Sequence, residues 1–373
     1  MRIIFILILI YCLLKFDKKV NAKSFNEFNI KRELDKIRVF ENERFNIKTT
    51  IENNKRLPLS FIYVREKLPT EFVKMKQELQ KDDNGFKVNI SRYTMRSYER
   101  KIRNTTFKSS KRGIYTISHI KVTIGDIFGF SNCKKEFIDY LELIVYPEVK
   151  KLSQFKFSSN TLYGDNIVKR WIYKDPIYIK GIREYNTNDR MKDIHWASSA
   201  KMNRLMVREY DHTSEKQLIM LLNVESGRKV WRSGDEIELE NAISLVASLA
   251  SECSNLNINT CFWTNAQIIG KNKKGVSEVI CSEYSLGNVL EMCARIYPSK
   301  KMNFSELLSK KKNEFKRNYS YIILGFYLDK ESINMVEELV SRGISIAMMD
   351  VSSDLRLPNI KGVKKFDFKG AIR

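Results

Sequence analysis

The stretch IREYNTNDRMKDIHWASSAKMNRLMVREYD, residues 182–211, is the part of the chain least like the rest. Asp189, Asp193 and His195 are donors that could hold a metal ion or pass a proton. On a helix the two aspartates would be i,i+4 neighbours facing one side. The same window also sets Arg183, Arg190, Arg204 and Arg208 among Glu184, Asp189, Asp193, Glu209 and Asp211. Bidentate guanidinium–carboxylate pairs would satisfy that set with no substrate. Trp196, Ala197, Ala200, Leu205, Met206 and Val207 are expected to supply packing, so that Trp196→Ala should lower thermal stability substantially. An internally paired structural motif is the leading reading, a partner surface the second, catalysis the third.

A second set of polar residues follows short apolar runs. QLIMLLNV, residues 217–224, reads as a buried strand followed by Glu225 and Ser226, and later runs end at Thr264, Asp329 and Asp350. Glu225, Ser226 and Asp329 are weak candidates for oxygen ligands to a hard cation, against the plainer reading of polar loop residues. The chain holds neither a G-x-S-x-G elbow nor a G-x-x-x-x-G-K-[ST] phosphate loop, and no cysteine is paired in sequence with a histidine. His119 reads as structural and His212 as a surface residue. Cys12, Cys133, Cys253, Cys261, Cys281 and Cys293 show no framework spacing, which favours reduced thiols.

These residues need elements to position them. Residues 216–373 alternate apolar strands with amphipathic helices, as a parallel sheet covered on both faces requires. Ile237, Ile243, Val246, Ala247 and Ala250 fall on one face of the first helix, and Gly343 suits the end of a later one. In such folds ligands bind beyond the carboxyl ends of the strands. Residues 25–150 read instead as short alternating strands separated by polar turns, as in an antiparallel sandwich, with Gly113, Gly125 and Gly129 serving turns and bulges. Residues 151–215 form a connector that carries the 182–211 motif. From Ile3 to Leu14 the chain is almost purely apolar, a helix of roughly 18–20 Å, short of the ~30 Å hydrocarbon core. Lys15, Lys18 and Lys19 behind it disfavour cleavage and favour a cytoplasmic body, so 1–24 is expected to be an uncleaved single-pass anchor. The alternative is a secreted body released near Ala22.

The 373 residues are 43% hydrophobic and 11% aromatic, enough for two cores. Lys and Arg number 66 against 44 Asp and Glu, a net charge of +22 that attracts phosphates of lipid or nucleic acid. The basic residues are scattered through both halves, and nucleic-acid binding is not the expected role.

The pattern R-E-Y-x3-D-x4-D-I-H-W-x3-A-x3-R-L-x-V-R-E-Y resembles the signature of the bacterial domain-of-unknown-function 58 proteins. Arg183, Tyr185, Asp189, Ile194, His195, Trp196, Ala200, Leu205, Val207 and Glu209 match it in order. Asn188 stands where a glycine is usual, and Arg190 and Asp193 depart from the expected spacing. The resemblance implies membrane-anchored proteins without established enzymatic activity, whose C-terminal part is like a von Willebrand factor A domain. It also implies association with MoxR-type AAA+ ATPases in the assembly or maturation of other proteins. The D-x-S-x-S metal motif of A domains would fall on Asn223, Glu225 and Gly227, so no conventional Mg²⁺ site is expected. The reading that follows has four parts: an N-terminal anchor, a β-sandwich-like domain, the connector and a von Willebrand factor A-like α/β domain. The protein is expected to be a non-enzymatic adaptor with no cofactor. A metal-dependent hydrolase and a basic nucleic-acid binder remain as alternatives.

Overall fold

The computed structural model describes residues 24–75, 79–81, 86–125, 132–151, 155–157, 179–186, 189, 191, 194–210, 217–227, 233–256, 258–270, 278–282, 285–317, 319–354 and 356–371. The chain forms two compact units, Met1–Pro147 and Glu148–Arg373. Residues 1–23 of the expected anchor lie outside the described residues, and among the latter no helix is long and apolar enough to cross a membrane.

The first unit is β-rich. Its strands are β1 (Phe28–Leu34), β2 (Arg38–Phe40), β3 (Arg44–Asn53), β4 (Leu59–Leu68), β5 (Phe72–Lys74), β6 (Gln80–Lys81), β7 (Lys87–Met95), β8 (Glu99–Ser109), β9 (Gly113–Gly125) and β10 (Asn132–Tyr146). They build one sheet of order β1-β3-β8-β5 and another of order β2-β10-β9-β4-β7-β6. Period-2 patterning decides which face each side chain joins. Phe45, Ile47 and Ile51 of β3 are buried, as are Ile62, Val64 and Leu68 of β4. The sheets meet over two apolar clusters. One joins Phe28, Ile30 and Ile51 to Val64, Val122 and Ile124; the other joins Phe45, Phe72 and Phe107 to Ile117, Leu143 and Val145. Between Ile30 and Leu34 on β1 comes Arg32, fully buried, and between Val64 and Leu68 on β4 comes Glu66, also buried. A charged pair therefore interrupts a core that patterning alone presents as continuous.

The second unit is mixed α/β. It runs β11 (Phe155–Phe157), β12 (Ile179–Glu184), α1 (Trp196–Met202), β13 (Met206–Tyr210), β14 (Gln217–Leu222), α2 (Ser233–Asn255), β15 (Asn259–Thr264), β16 (Ala266–Ile268), β17 (Glu278–Ser282), α3 (Ser285–Arg295), β18 (Ile296–Lys300), α4 (Phe304–Lys311), β19 (Ser320–Gly325), α5 (Lys330–Ser341), β20 (Ser345–Asp350) and β21 (Lys364–Ala371). The large sheet has the order β11-β21-β20-β19-β14-β15-β17. Strands β21 through β15 in that order are parallel to one another, while β17 and β11 run antiparallel at the edges. Alternate residues of each strand enter different cores. Met220 and Leu222 pack with Ile243 and Val246 of α2 and Val289 of α3; Ile219 and Leu221 pack with Phe304 and Leu308 of α4 and Val336 and Leu339 of α5. Burial on both faces is why these strands are apolar without interruption.

Several elements differ from the sequence expectation. β17, expected as a strand of the parallel sheet, runs antiparallel to β15, and β11, β21 and the ribbon of β16 with β18 are strands that the sequence pattern does not mark out. Ile237 is 63% exposed, because α2 buries its apolar stripe only from Leu239 onward. Gly343 ends α5 as expected: at φ +85° its N–H donates to Val340 O, and Ile344 N–H donates to Leu339 O. Cys261, read as a thiol, is disulfide-bonded, whereas Cys133, Cys253 and Cys293 keep their thiols. The backbone register sets Thr260 opposite Ser282, so the chain at 281 runs alongside 261 on a neighbouring strand, a proximity that sequence spacing does not reveal.

Candidate functional site

The signature motif folds as strand, turn, short helix and strand. β12 and β13 pair antiparallel, with Ile182 opposite Arg208 and Glu184 opposite Met206, and an isolated bridge joins Ile194 to Val207. Tyr185 N–H closes the ladder on Leu205 O at 2.9 Å. Arg183 and Asp189 form a bidentate pair of the kind the motif's charges suggested: Nη1 donates to Oδ2 at 2.7 Å and Nη2 to Oδ1 at 2.6 Å. Asp189 also accepts from Asn186 N–H at 2.8 Å. The Arg183 hydrogen bonds, then the Asn186 N–H, hold the Asp189 carboxyl below its ordinary value. Arg204 pairs with Glu184.

His195 is a helix cap. Its Nδ1 accepts from Ser198 N–H at 3.1 Å, satisfying one of the free donors at the start of α1. Its own N–H donates to Met206 O at 2.8 Å, and Met206 N–H donates to Ser199 Oγ at 2.8 Å. Asp193 lies outside the described residues, and so do the side chains of Arg208 and Glu209. His195 and Asp189 are thus committed to backbone and to arginine, not to each other.

The packing expectation needs correction. Ile194, Met206 and Val207 are buried, but Trp196 is 66% exposed, Leu205 is 44% exposed, and Ala200 is exposed too. Trp196 opens α1, and that helix of seven residues buries only Ser199. With Ile182, Met191 and Met202 also exposed, the motif presents an apolar surface.

The other candidates meet at the carboxyl ends of the parallel strands. Asn223 Nδ2 donates to Tyr327 O at 2.7 Å; its Oδ1 accepts from Glu225 N–H at 3.0 Å and from Asn265 Nδ2 at 2.9 Å. Glu225, nearly buried, pairs with Lys300 Nζ at 3.3 Å, and Lys300 also donates to Asn303 Oδ1 at 2.8 Å. Burial is the largest influence on the Glu225 carboxyl and raises it, opposed by the nearby Lys300 ammonium. Asp329 caps α5 by accepting from Ser332 N–H at 3.0 Å. Ser226 is buried. The lysine ammonium therefore stands against Glu225 where a cation would, and among the described residues no three His, Cys, Asp or Glu side chains come together as a ligand set. Lys300 and Asn303 were not singled out from sequence, because one ends β18, the other precedes α4, and neither shares a motif with Glu225.

Gly227 holds this corner together. It adopts φ +69°, and a Cβ there would lie 2.6 Å from the Tyr327 ring. Gly227→Ala is expected to destabilise the second unit by about 1–2 kcal/mol, the cost of a side chain in the left-handed region. All four tryptophans follow residue 147, so denaturation followed by tryptophan fluorescence reads this unit; an unmoved midpoint would count against the packing described.

The family drawn from the motif is the one found. Residues 181–359 match the model of the family described as Protein of unknown function DUF58. A relative, the uncharacterized protein YeaD of Bacillus subtilis (strain 168), is 22% identical over 205 residues, covering 52% of this chain and 48% of its own. The chain thus spans about half the length of that relative. Among solved structures, a type II cohesin domain from the cellulosome of Acetivibrio cellulolyticus aligns at TM-score 0.25 and 13% identity over 31% of this chain and 94% of its own. The CARDB domain of the PF1109 protein from Pyrococcus furiosus aligns at TM-score 0.22 and 13% identity over 32% and 96%. At these scores neither likeness bears on fold or function.

Proposed function

We propose that the protein is a non-enzymatic, membrane-anchored adaptor whose second unit is a von Willebrand factor A-like domain working with a MoxR-type AAA+ ATPase. The observation that carries the adaptor reading is the exposure of apolar side chains in the signature motif, Trp196 foremost at 66%: soluble surfaces rarely spend a tryptophan on solvent, and tryptophan is enriched where partners dock. The order β17-β15-β14-β19-β20-β21 supports the domain reading. Renumbered within the sheet it is 3-2-1-4-5-6, a doubly wound order whose ligand crevice opens between β14 and β19. There Asn223 and Tyr327 are tied to each other, and Glu225 is paired with Lys300. Polar groups spent on internal bonds suit a rim that binds a protein better than one that turns over a substrate.

Trp196→Ser tests the surface. As an exposed substitution it is expected to change stability by less than about 0.5 kcal/mol. In crosslinked pull-downs of the full chain from native membranes it should lose an AAA+ ATPase that the wild type recovers. Equal recovery by both chains, or a large drop in melting temperature, would return the motif to a purely structural role.

One observation favours the alternative reading, an exported body out of reach of an ATP-driven cytosolic partner. Disulfides persist in oxidising compartments, and Cys261 is disulfide-bonded. Alkylation of cells at the moment of lysis, followed by mass spectrometry of the Cys261 peptide, separates the two topologies. Quantitative labelling of a free thiol supports a cytoplasmic body, and protection of Cys261 supports export.

A further inference from the structure

The outer face of the larger sheet in the first unit carries a grid of cations and apolar side chains that the adaptor reading does not use. The registers of β7, β4, β9 and β10 fix its rows. Arg65 lies opposite Ile90 and Lys121, and Lys121 lies opposite Glu136; in the next rows Lys67 lies opposite Val88, His119 opposite Ile138, and Tyr63 opposite both Arg92 and Thr123. Arg65, Lys67, His119, Ile120, Lys121 and Glu136 line a cavity of about 330 Å³. Lys121 is 3.6 Å from Glu136, which leaves Arg65 and Lys67 as the cations of the cavity without a carboxylate partner among the described residues. Two basic side chains of this face lie over aromatic rings: Arg92 is 5.3 Å from the Tyr63 ring centre and Lys67 is 5.8 Å from that of Phe86. Around them Ile138 is 62% exposed and Tyr140 is 74% exposed, both on β10, with Phe61 and Phe86 also open to solvent.

Basic residues alone would suit any polyanion. Exposed aliphatic and aromatic side chains among them suit a headgroup layer, where phosphates meet the cations and apolar groups enter the boundary with the acyl chains. We propose that this face seats the phosphate groups of an anionic lipid bilayer. It deepens the membrane-anchored reading and rests partly on it, since the apolar run at 3–14 precedes the first described strand by a short tether. The anchor would hold the unit near the bilayer, and the cationic face would orient it.

The test uses the full chain, diluted from detergent into a mixture of neutral phosphatidylcholine vesicles and separable vesicles with about one-third phosphatidylglycerol. Resistance to alkaline carbonate extraction reports the anchor, and the distribution between the two vesicle types reports the face. The wild type is expected to favour the anionic vesicles at least tenfold at low salt, with the preference collapsing near ~0.5 M salt. The triple variant R65Q/K67Q/K121Q should lose most of that preference while keeping its carbonate resistance and its circular-dichroism melt. I138S/Y140S should weaken the preference without weakening retention on immobilised single-stranded DNA. Equal distribution of the wild type, or an anionic preference that the triple variant keeps, overturns the proposal whatever the anchor does. Retention on DNA matching that on anionic vesicles, with no effect of I138S/Y140S, also overturns it in favour of nucleic acid. Loss of carbonate resistance with the anionic preference intact would sink the anchor and leave the face standing.

Discussion

Arg32→Met is expected to destabilise the first unit by about 3–5 kcal/mol, the range for removing one partner from a buried charged pair. The Arg32 side chain is wholly buried on β1, and its Nη2 donates to Asp139 O at 2.8 Å, Ser118 O at 3.3 Å and Ile117 O at 3.4 Å. Its Nε lies 3.7 Å from Asp139 Oδ2, and its Nη1 lies 4.0 Å from Glu66 Oε1. Methionine fills a similar volume, so the loss is electrostatic. Glu66 keeps only its bond from Asn89 Nδ2 at 2.7 Å, and Glu66 Oε1 already lacks a hydrogen-bond partner. Adding Glu66→Leu to Arg32→Met should recover more than half of the loss, because removing both charges of a buried pair costs far less than removing one. Denaturant unfolding followed by far-UV circular dichroism, at a transition that tryptophan fluorescence does not share, isolates this unit. A double variant no more stable than the single would show that the hydrogen bonds to the Ile117, Ser118 and Asp139 carbonyls, not the charge facing Glu66, are what Arg32 supplies.

The same pair sets a pH dependence. Burial, opposed by Asn89 and Arg32, pushes the Glu66 carboxyl above its ordinary value. A carboxyl raised on folding contributes stability that is fully present below its unfolded pKa and is lost as pH rises through the folded one. The first unit should therefore weaken as pH climbs from the ordinary carboxylate range through the raised value, and Glu66→Gln should flatten that slope. Arg32→Met removes the attraction that keeps the carboxylate charged and should steepen it.

Periodicity made the scaffold legible and left the polar interior hidden. Alternating β3 and β4 showed their faces, and the uninterrupted QLIMLL of β14 showed a strand buried on both sides. Arg32 and Glu66 also obey the period of 2, sitting at inward positions, but a basic or acidic residue at such a position reads as a turn toward solvent. Only the facing sheets show that they meet. In the signature motif, arginine–carboxylate pairing was readable from the mixed charges, but which arginine meets which acid, as Arg183 meets Asp189, is set by the turn after β12. Trp196 was misread because the apolar residues at 196, 197, 200 and 205–207 suggest packing by type alone, whereas a break at Asn203, with φ +52°, turns the chain from α1 toward β13. Met206 and Val207 fall inward after that turn, and Trp196 and Ala200 stay outside. The partners of Glu225 and Asp350 come from distant segments, so spacing could not propose them.

Asp350→Ala is expected to be the most damaging single change at the strand ends of the second unit, at about 3–5 kcal/mol. Asp350 closes β20 with no exposed surface. Its Oδ1 accepts from Ser352 N–H at 3.1 Å and from Ser352 Oγ at 2.5 Å, and its Oδ2 accepts from Leu357 N–H at 2.9 Å. Lys365 Nζ from β21 lies 3.1 Å from the same oxygen. One carboxylate thus fixes the turn that leaves β20 and ties it to the next parallel strand. Alanine would leave buried donors unpaired and the Lys365 ammonium, only partly exposed, without its counter-charge. Asp350→Asn separates these effects: an amide oxygen can still accept from Ser352, so it should cost less than alanine, and the difference measures the turn bonds apart from the charge. Tryptophan-detected denaturation gives both values. If alanine and asparagine cost the same, the charge with Lys365 outweighs the turn. If neither moves the midpoint, the turn bonds and the Lys365 pair contribute nothing net to stability, and the carboxylate does not fix the β20 turn.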